Sequence, residues 1–161
     1  MAALGRGKRR HRVNQSVETL FPNLTAAGYQ ITSAATPEYN CIAWAAAEDG
    51  VWWWPDSFGD YYWPATVPRI ETLEAFAQAY RTLGYEPCES ASLEFGFDKI
   101  AVYINTQGQP THAARQLRGG AWTSKLGQLE DIEHAALEGL HGAIYGRVGL
   151  IMRRDAQTSA E

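Results

Sequence analysis

The chain has 161 residues, of which 45% are hydrophobic, 20% charged and 12% aromatic, a composition that excludes a disordered or low-complexity protein and is enough for a real hydrophobic core. Its formal net charge of -4 is uneven: five of the 14 cations (Arg6, Lys8, Arg9, Arg10 and Arg12) occupy a segment with no carboxylate, leaving nine against 18 carboxylates elsewhere. A body so acidic repels phosphate backbones, which argues against nucleic acid as a partner except through that segment, and no apolar run nears the roughly 18 residues of a membrane span.

Residues 1–12 read as a basic disordered tail, 13–154 as a single domain and 155–161 as a polar tail. The basic start is not followed by an apolar stretch with a cleavage site, so the expected location is the cytoplasm, or outside it by a route without a cleaved signal peptide. Cys41 and Cys88 differ in context and read as free thiols. Ser16, Glu18, Leu20 and Phe21 predict a helical turn stopped by Pro22, and 28–33 alternates like a strand. An alanine-rich helix is predicted over Cys41–Glu48, ending before Gly50. The stretch 51–68 holds Trp52, Trp53, Trp54, Tyr61, Tyr62 and Trp63 among three prolines and reads as an irregular aromatic loop.

Ile70, Leu73, Phe76, Ala77 and Tyr80 recur at helical spacing, with Gly84 as the stop. Segments 99–105, 111–117 and 121–126, joined by glycine-bearing turns, predict an antiparallel meander. A helix is predicted over 131–140 with Ile132, Ala135, Ala136 and Leu140 inward, and a closing strand over 145–153. Helices first and antiparallel strands later predict an α+β domain.

A thiol attacks only as thiolate, and a helix N-terminus favours that charge through its unpaired N–H groups. Cys41 is placed there by the pattern, which makes it the candidate nucleophile and predicts a lowered pKa. Its own amide or the Asn40 side chain would steady an oxyanion. His112 is the candidate base, on one strand face with Ala114 and Gln116. Its second ring nitrogen needs an orienting acceptor; Ser124 on the next strand is the first choice, with Thr123, Gln116 and Asn105 also in range. A cysteine opening an alanine-rich helix is often only a small core residue, but here a histidine and a hydroxyl follow it on successive strands.

Cys88, beside Glu86 and Glu89, is the poorer nucleophile. His134 reads as a structural hydrogen-bonding residue, and His11 and His141 lie in polar contexts. Trp44, Trp53 and Trp54, with Gln116, are candidate substrate contacts; the loop tryptophans would stack on sugar rings or peptide side chains, or plug the core, the commoner role. Scattered histidines and two lone cysteines give no metal-ligand spacing, and no glycine-rich phosphate cradle follows a strand, so neither metal nor cofactor is implied.

The blocks YNCIAWA (39–45), WWP (53–55) with YWP (62–64), TLEAF (72–76), GYEPC (84–88), THAARQ (111–116) and WTSKLG (122–127) with IEH (132–134) resemble a largely uncharacterised bacterial family. More broadly, helix-borne Cys, strand-borne His and a polar residue on the following strand resemble the NlpC and CHAP branches of the papain-like cysteine hydrolases. That resemblance implies a papain-like fold with N-terminal helices packed on an antiparallel sheet. It also implies cleavage or transfer of acyl groups from peptide, protein or peptidoglycan-like amides through a thioester, with Cys41 as nucleophile, His112 as base and Ser124 as orienting partner. The departure is at Ser124, where the superfamily usually has His, Asn, Gln, Asp or Glu. The expectation is a cysteine amidohydrolase, deamidation of a target protein being the same chemistry. The alternative is a catalytically silent binding or immunity-type module that uses the aromatic loop.

Overall fold

A computed structural model of the protein describes residues 17–156; the basic segment 1–12, Ser16 and the polar residues from 157 onward lie outside it. Seven strands form one sheet: β1 (Tyr29–Ser33), β2 (Glu86–Cys88), β3 (Phe97–Ile104), β4 (Pro110–Gln116), β5 (Trp122–Lys125), β6 (Asp131–His134) and β7 (Arg147–Asp155). Their spatial order is β1-β6-β5-β4-β3-β7-β2, and every pairing is antiparallel. Helices are few and short: α1 (Leu24–Ala27), α2 (Cys41–Ala45), α3 (Leu73–Arg81) and a 3-10 turn over Leu137–Leu140, with residues 17–20 also helical.

This corrects the α+β papain-like expectation. N-terminal helices do not form a layer on which the sheet rests; the sheet is the body of the molecule, and the helical pieces cover parts of both its faces. Two segments account for most of the difference. Residues 131–134 are a strand, because hydrogen bonding to β1 on one side and β5 on the other outweighs the helical spacing of Ile132, Ala136 and Leu140. Residues 86–88, expected as loop, pair with β7 and end the sheet, and Asp155 belongs to β7 rather than to a tail.

Alternation along the strands divides the core. Ile100, Val102, Ala113 and Met152 face α2, α3 and the aromatic loop. Ala101, Tyr103, Ala114, Trp122 and Ile132 face residues 17–24, the 3-10 turn and Tyr145. Helix α3 forms for the predicted reasons: Thr72 caps it by accepting from the Ala75 N–H at 3.1 Å, and Phe76 and Tyr80 are fully buried. Ile70, expected on its inner face, precedes the helix and is exposed.

Candidate functional site

Asn40 begins α2 as its N-cap, its side-chain oxygen accepting from the Ala43 N–H at 3.1 Å. The same oxygen accepts from the Trp53 N–H, and the amide donates to the Trp53 carbonyl at 2.7 Å. Asn40 therefore clips the aromatic loop to the start of α2. The helix ends sooner than predicted, through Ala47 in the left-handed region, and Gly50 is not its cap.

Cys41 is the first residue of α2 and is 6% exposed. It borders a cavity of about 350 Å³ whose other edges are Asn40, Thr111 and Gly127, with Trp52, Trp54, Tyr61 and Tyr145 as aromatic walls. Burial pushes the thiol up to about 11, against the opposing pull of the Ala113, Ile42 and Cys41 N–H groups and of Lys125. The predicted lowering is thus corrected: the helix end acts in the expected direction, but taking a thiolate out of water costs more.

The hydroxyl of Ser124 stands 2.9 Å from His112 Nε2 and 2.8 Å from His134 Nε2, and His134 Nδ1 lies 3.0 Å from the Ala136 carbonyl. All three residues are essentially excluded from solvent. The other ring nitrogen of His112, Nδ1, is buried and has no hydrogen-bond partner among the described residues. Tyr145 stacks flat on the His112 ring with centroids 4.1 Å apart, and Tyr103 meets it edge-on at 5.2 Å. Burial drives His112 well below the ordinary histidine value, assisted by neighbouring His134. Burial also lowers His134, partly offset by the Ala136 carbonyl.

Cys41 and His112 approach β4 from opposite faces. Cys41 packs in the core that contains Ala113, whereas alternation puts His112 with Ala114 on the other face, where its ring meets Tyr103. Beside these residues β4 and β5 part. These strands pair only at Arg115 with Thr123 and Gln116 with Trp122, so 111–113 and 124–127 diverge. The Ala113 N–H is among the backbone groups that favour negative charge at the Cys41 sulfur. Tyr145, which covers His112, lines the same cavity as Cys41.

Among the other expected contacts, only Trp54 and Asn40 border the cavity. Trp53 is 3% exposed and plugs the core beside Tyr62 and Tyr80. Trp44 donates its indole N–H to the Thr123 hydroxyl at 2.9 Å and underlies Arg115. That bond also takes Thr123 out of contention as the orienting residue. Gln116 is buried against the Ala91 carbonyl, away from the cavity, and Asn105 serves its own turn with Gln107 and Gln109. Trp52, one of the loop tryptophans expected to stack on a bound ring, is a cavity wall, as are Tyr61, Thr111 and Tyr145, which the sequence pattern does not single out, and His134 lies on a strand instead of the predicted helix. The alternation of Ile132 and His134 was the signal available for the last.

Among the described residues no three His, Cys, Asp or Glu side chains gather to hold a metal ion, and no helix is long and apolar enough to cross a membrane. A family model described as a domain of unknown function, DUF7689, matches residues 30–153, and the chain belongs to that family. No curated protein and no solved structure matches it.

Proposed function

We propose that the protein is a cysteine hydrolase in which Cys41 is the nucleophile and His112 the base. The observation that carries this reading is the bare, buried Nδ1 of His112, on an imidazole whose other nitrogen is tied to Ser124 and whose face is covered by Tyr145, a wall of the cavity that Cys41 borders. Buried polar nitrogens are nearly always paired, and an unpaired one on a histidine covered by a cavity-wall tyrosine suits a group that takes up a proton during reaction.

In the proposed reaction the Cys41 proton passes to His112 Nδ1 as sulfur bonds to an ester or amide carbonyl. The N–H groups of Cys41 and Ile42, which already favour negative charge at sulfur, receive the oxyanion. Collapse breaks the bond to the leaving oxygen or nitrogen, which takes the proton from His112 and leaves a thioester. Water then attacks the thioester, His112 accepts its proton, and the departing sulfur regains it. No described residue bordering the cavity carries a charge, so the acyl group admitted is uncharged, of the kind an aromatic wall stacks upon.

The second reading, a binding module with a silent thiol, is favoured by the thiol's rise to about 11 and by the absence of a hydrogen bond between His112 Nδ1 and any of the described residues, Cys41 included. The two separate on incubation with p-nitrophenyl acetate. The hydrolase gives nitrophenolate release with acetyl on Cys41 by peptide mass mapping, no acetyl at that site in Cys41→Ala, and about a hundredfold slower acylation in His112→Ala. Unmodified Cys41 in the wild type, or an acylation rate indifferent to His112, leaves the binding module.

A further inference from the structure

Four groups in line fix where the proton on His112 sits. The Ala136 carbonyl can only accept, so His134 Nδ1, at 3.0 Å, carries a hydrogen. Buried in the sheet, His134 is held neutral, so its Nε2 is a lone pair and must accept. The Ser124 hydroxyl, 2.8 Å away, has one hydrogen and donates it there. Toward His112 Nε2, at 2.9 Å, the Ser124 oxygen has only lone pairs left, so Nε2 bears the hydrogen and Nδ1 does not.

We infer that His134 is a positioning residue, which through Ser124 fixes His112 in the tautomer that leaves Nδ1 as a bare lone pair. Tyr145 and Tyr103 already hold the plane of the ring. The proton's position is what the relay adds. Were His134 to donate from both nitrogens, the Ser124 hydroxyl would turn around and donate to His112 Nε2, placing the hydrogen on Nδ1 and abolishing the base. The significance of this for turnover rests on the hydrolase reading; the tautomer itself does not.

The test is the tautomer of His112, read from its ring-nitrogen shifts in long-range proton–nitrogen NMR spectra without substrate. The expected wild-type form has hydrogen on Nε2. In His134→Leu the hydroxyl is released and His112 populates the Nδ1–H form, whereas in His134→Gln the side-chain oxygen accepts the hydroxyl and the wild-type tautomer returns. Ser124→Ala, which deletes one oxygen, breaks the same chain if the leucine variant does not fold. A wild-type His112 with hydrogen on Nδ1, or a tautomer unchanged in His134→Leu or Ser124→Ala, overturns the inference. Acylation of Cys41 is expected to slow about a hundredfold in His134→Leu and recover in His134→Gln. Wild-type protein with the expected tautomer but no acylation defeats the hydrolase reading and leaves the relay standing.

Discussion

Cys41→Ser tests the electrostatics of the site through stability. The unfolded chain loses the thiol proton near the ordinary value of 9.0, whereas the folded chain holds it to about 11 because burial disfavours the thiolate. The folded value is the higher, so this group's contribution is fully present below about pH 9 and is lost as pH rises toward about 11. Two pH units at 1.36 kcal/mol each amount to about 3 kcal/mol. Serine does not titrate there. The stability gap between wild type and Cys41→Ser, from urea unfolding followed by tryptophan fluorescence, should therefore be constant up to about pH 8 and move by about 3 kcal/mol against the wild type by about pH 11. Buried Tyr103 titrates in the same direction in both proteins and cancels in the difference, whereas Tyr80 and Tyr145 are raised further by the Cys41 thiolate and add to the difference only at the higher pH where they titrate.

The same shift sets the reactivity of the resting thiol. In a Cys88→Ser background at about pH 8, iodoacetamide should alkylate Cys41 about a hundredfold more slowly than a model thiol, following the thiolate fraction. A flat stability gap between about pH 8 and pH 11, or rapid alkylation at mildly acidic pH, would refute the reasoning by showing that the helix end outweighs burial.

Two further outcomes follow from the packing. The folded values of His112 and His134 lie below the ordinary 6.5, so their contribution to stability is present above about pH 6.5 and declines as pH falls through the range where the unfolded histidines charge. The acid slope of the urea midpoint should be shallower in His134→Gln, and an unchanged slope would show that His134 is not held neutral. Gly146 has φ +76°, and a Cβ there would fall on the Ile104 carbonyl, whereas Gly28, at φ +89°, has open space around it. Gly146→Ala should cost about 3 kcal/mol and Gly28→Ala about 1 kcal/mol, and equal losses in urea unfolding would remove the steric argument.

The elements legible in the sequence were those whose pattern and punctuation agreed. Helix α3 has an apolar stripe, a threonine cap and a glycine stop, and β3, β4 and β5 alternate between glycine-bearing turns. The meander also predicts Ser124 beside His112, because strands turning near 118–120 put both on one face, and the hydroxyl does stand 2.9 Å from the ring. Segment 131–140 misled because Ile132, Ala136 and Leu140 satisfy a helical period by coincidence, while the partner that makes 131–134 a strand, β1, is remote in sequence. His134, expected as a hydrogen-bonding residue, does bond Ser124 and the Ala136 carbonyl, but the helical period hid that it stands on the strand beside Ser124. Trp53 and Trp54 are adjacent and chemically alike, and only the pairing of Trp53 with Tyr62 determines that one is core and the other cavity wall.

The thiol's environment was illegible for a different reason: a helix start is local and visible in sequence, but burial is the sum of contacts from remote segments. Its consequence is chemical. With Cys41 raised and His112 lowered, the resting pair is uncharged, so in the proposed mechanism the proton leaves sulfur only as the carbonyl is attacked. The low dielectric that opposes a resting thiolate also strengthens N–H groups already aimed at the developing charge. Cys41 and His112 stand on opposite faces of β4, so the proposed transfer needs sulfur and Nδ1 to meet where β4 and β5 are unpaired. The divergence of these strands is therefore the feature on which any chemistry between Cys41 and His112 depends.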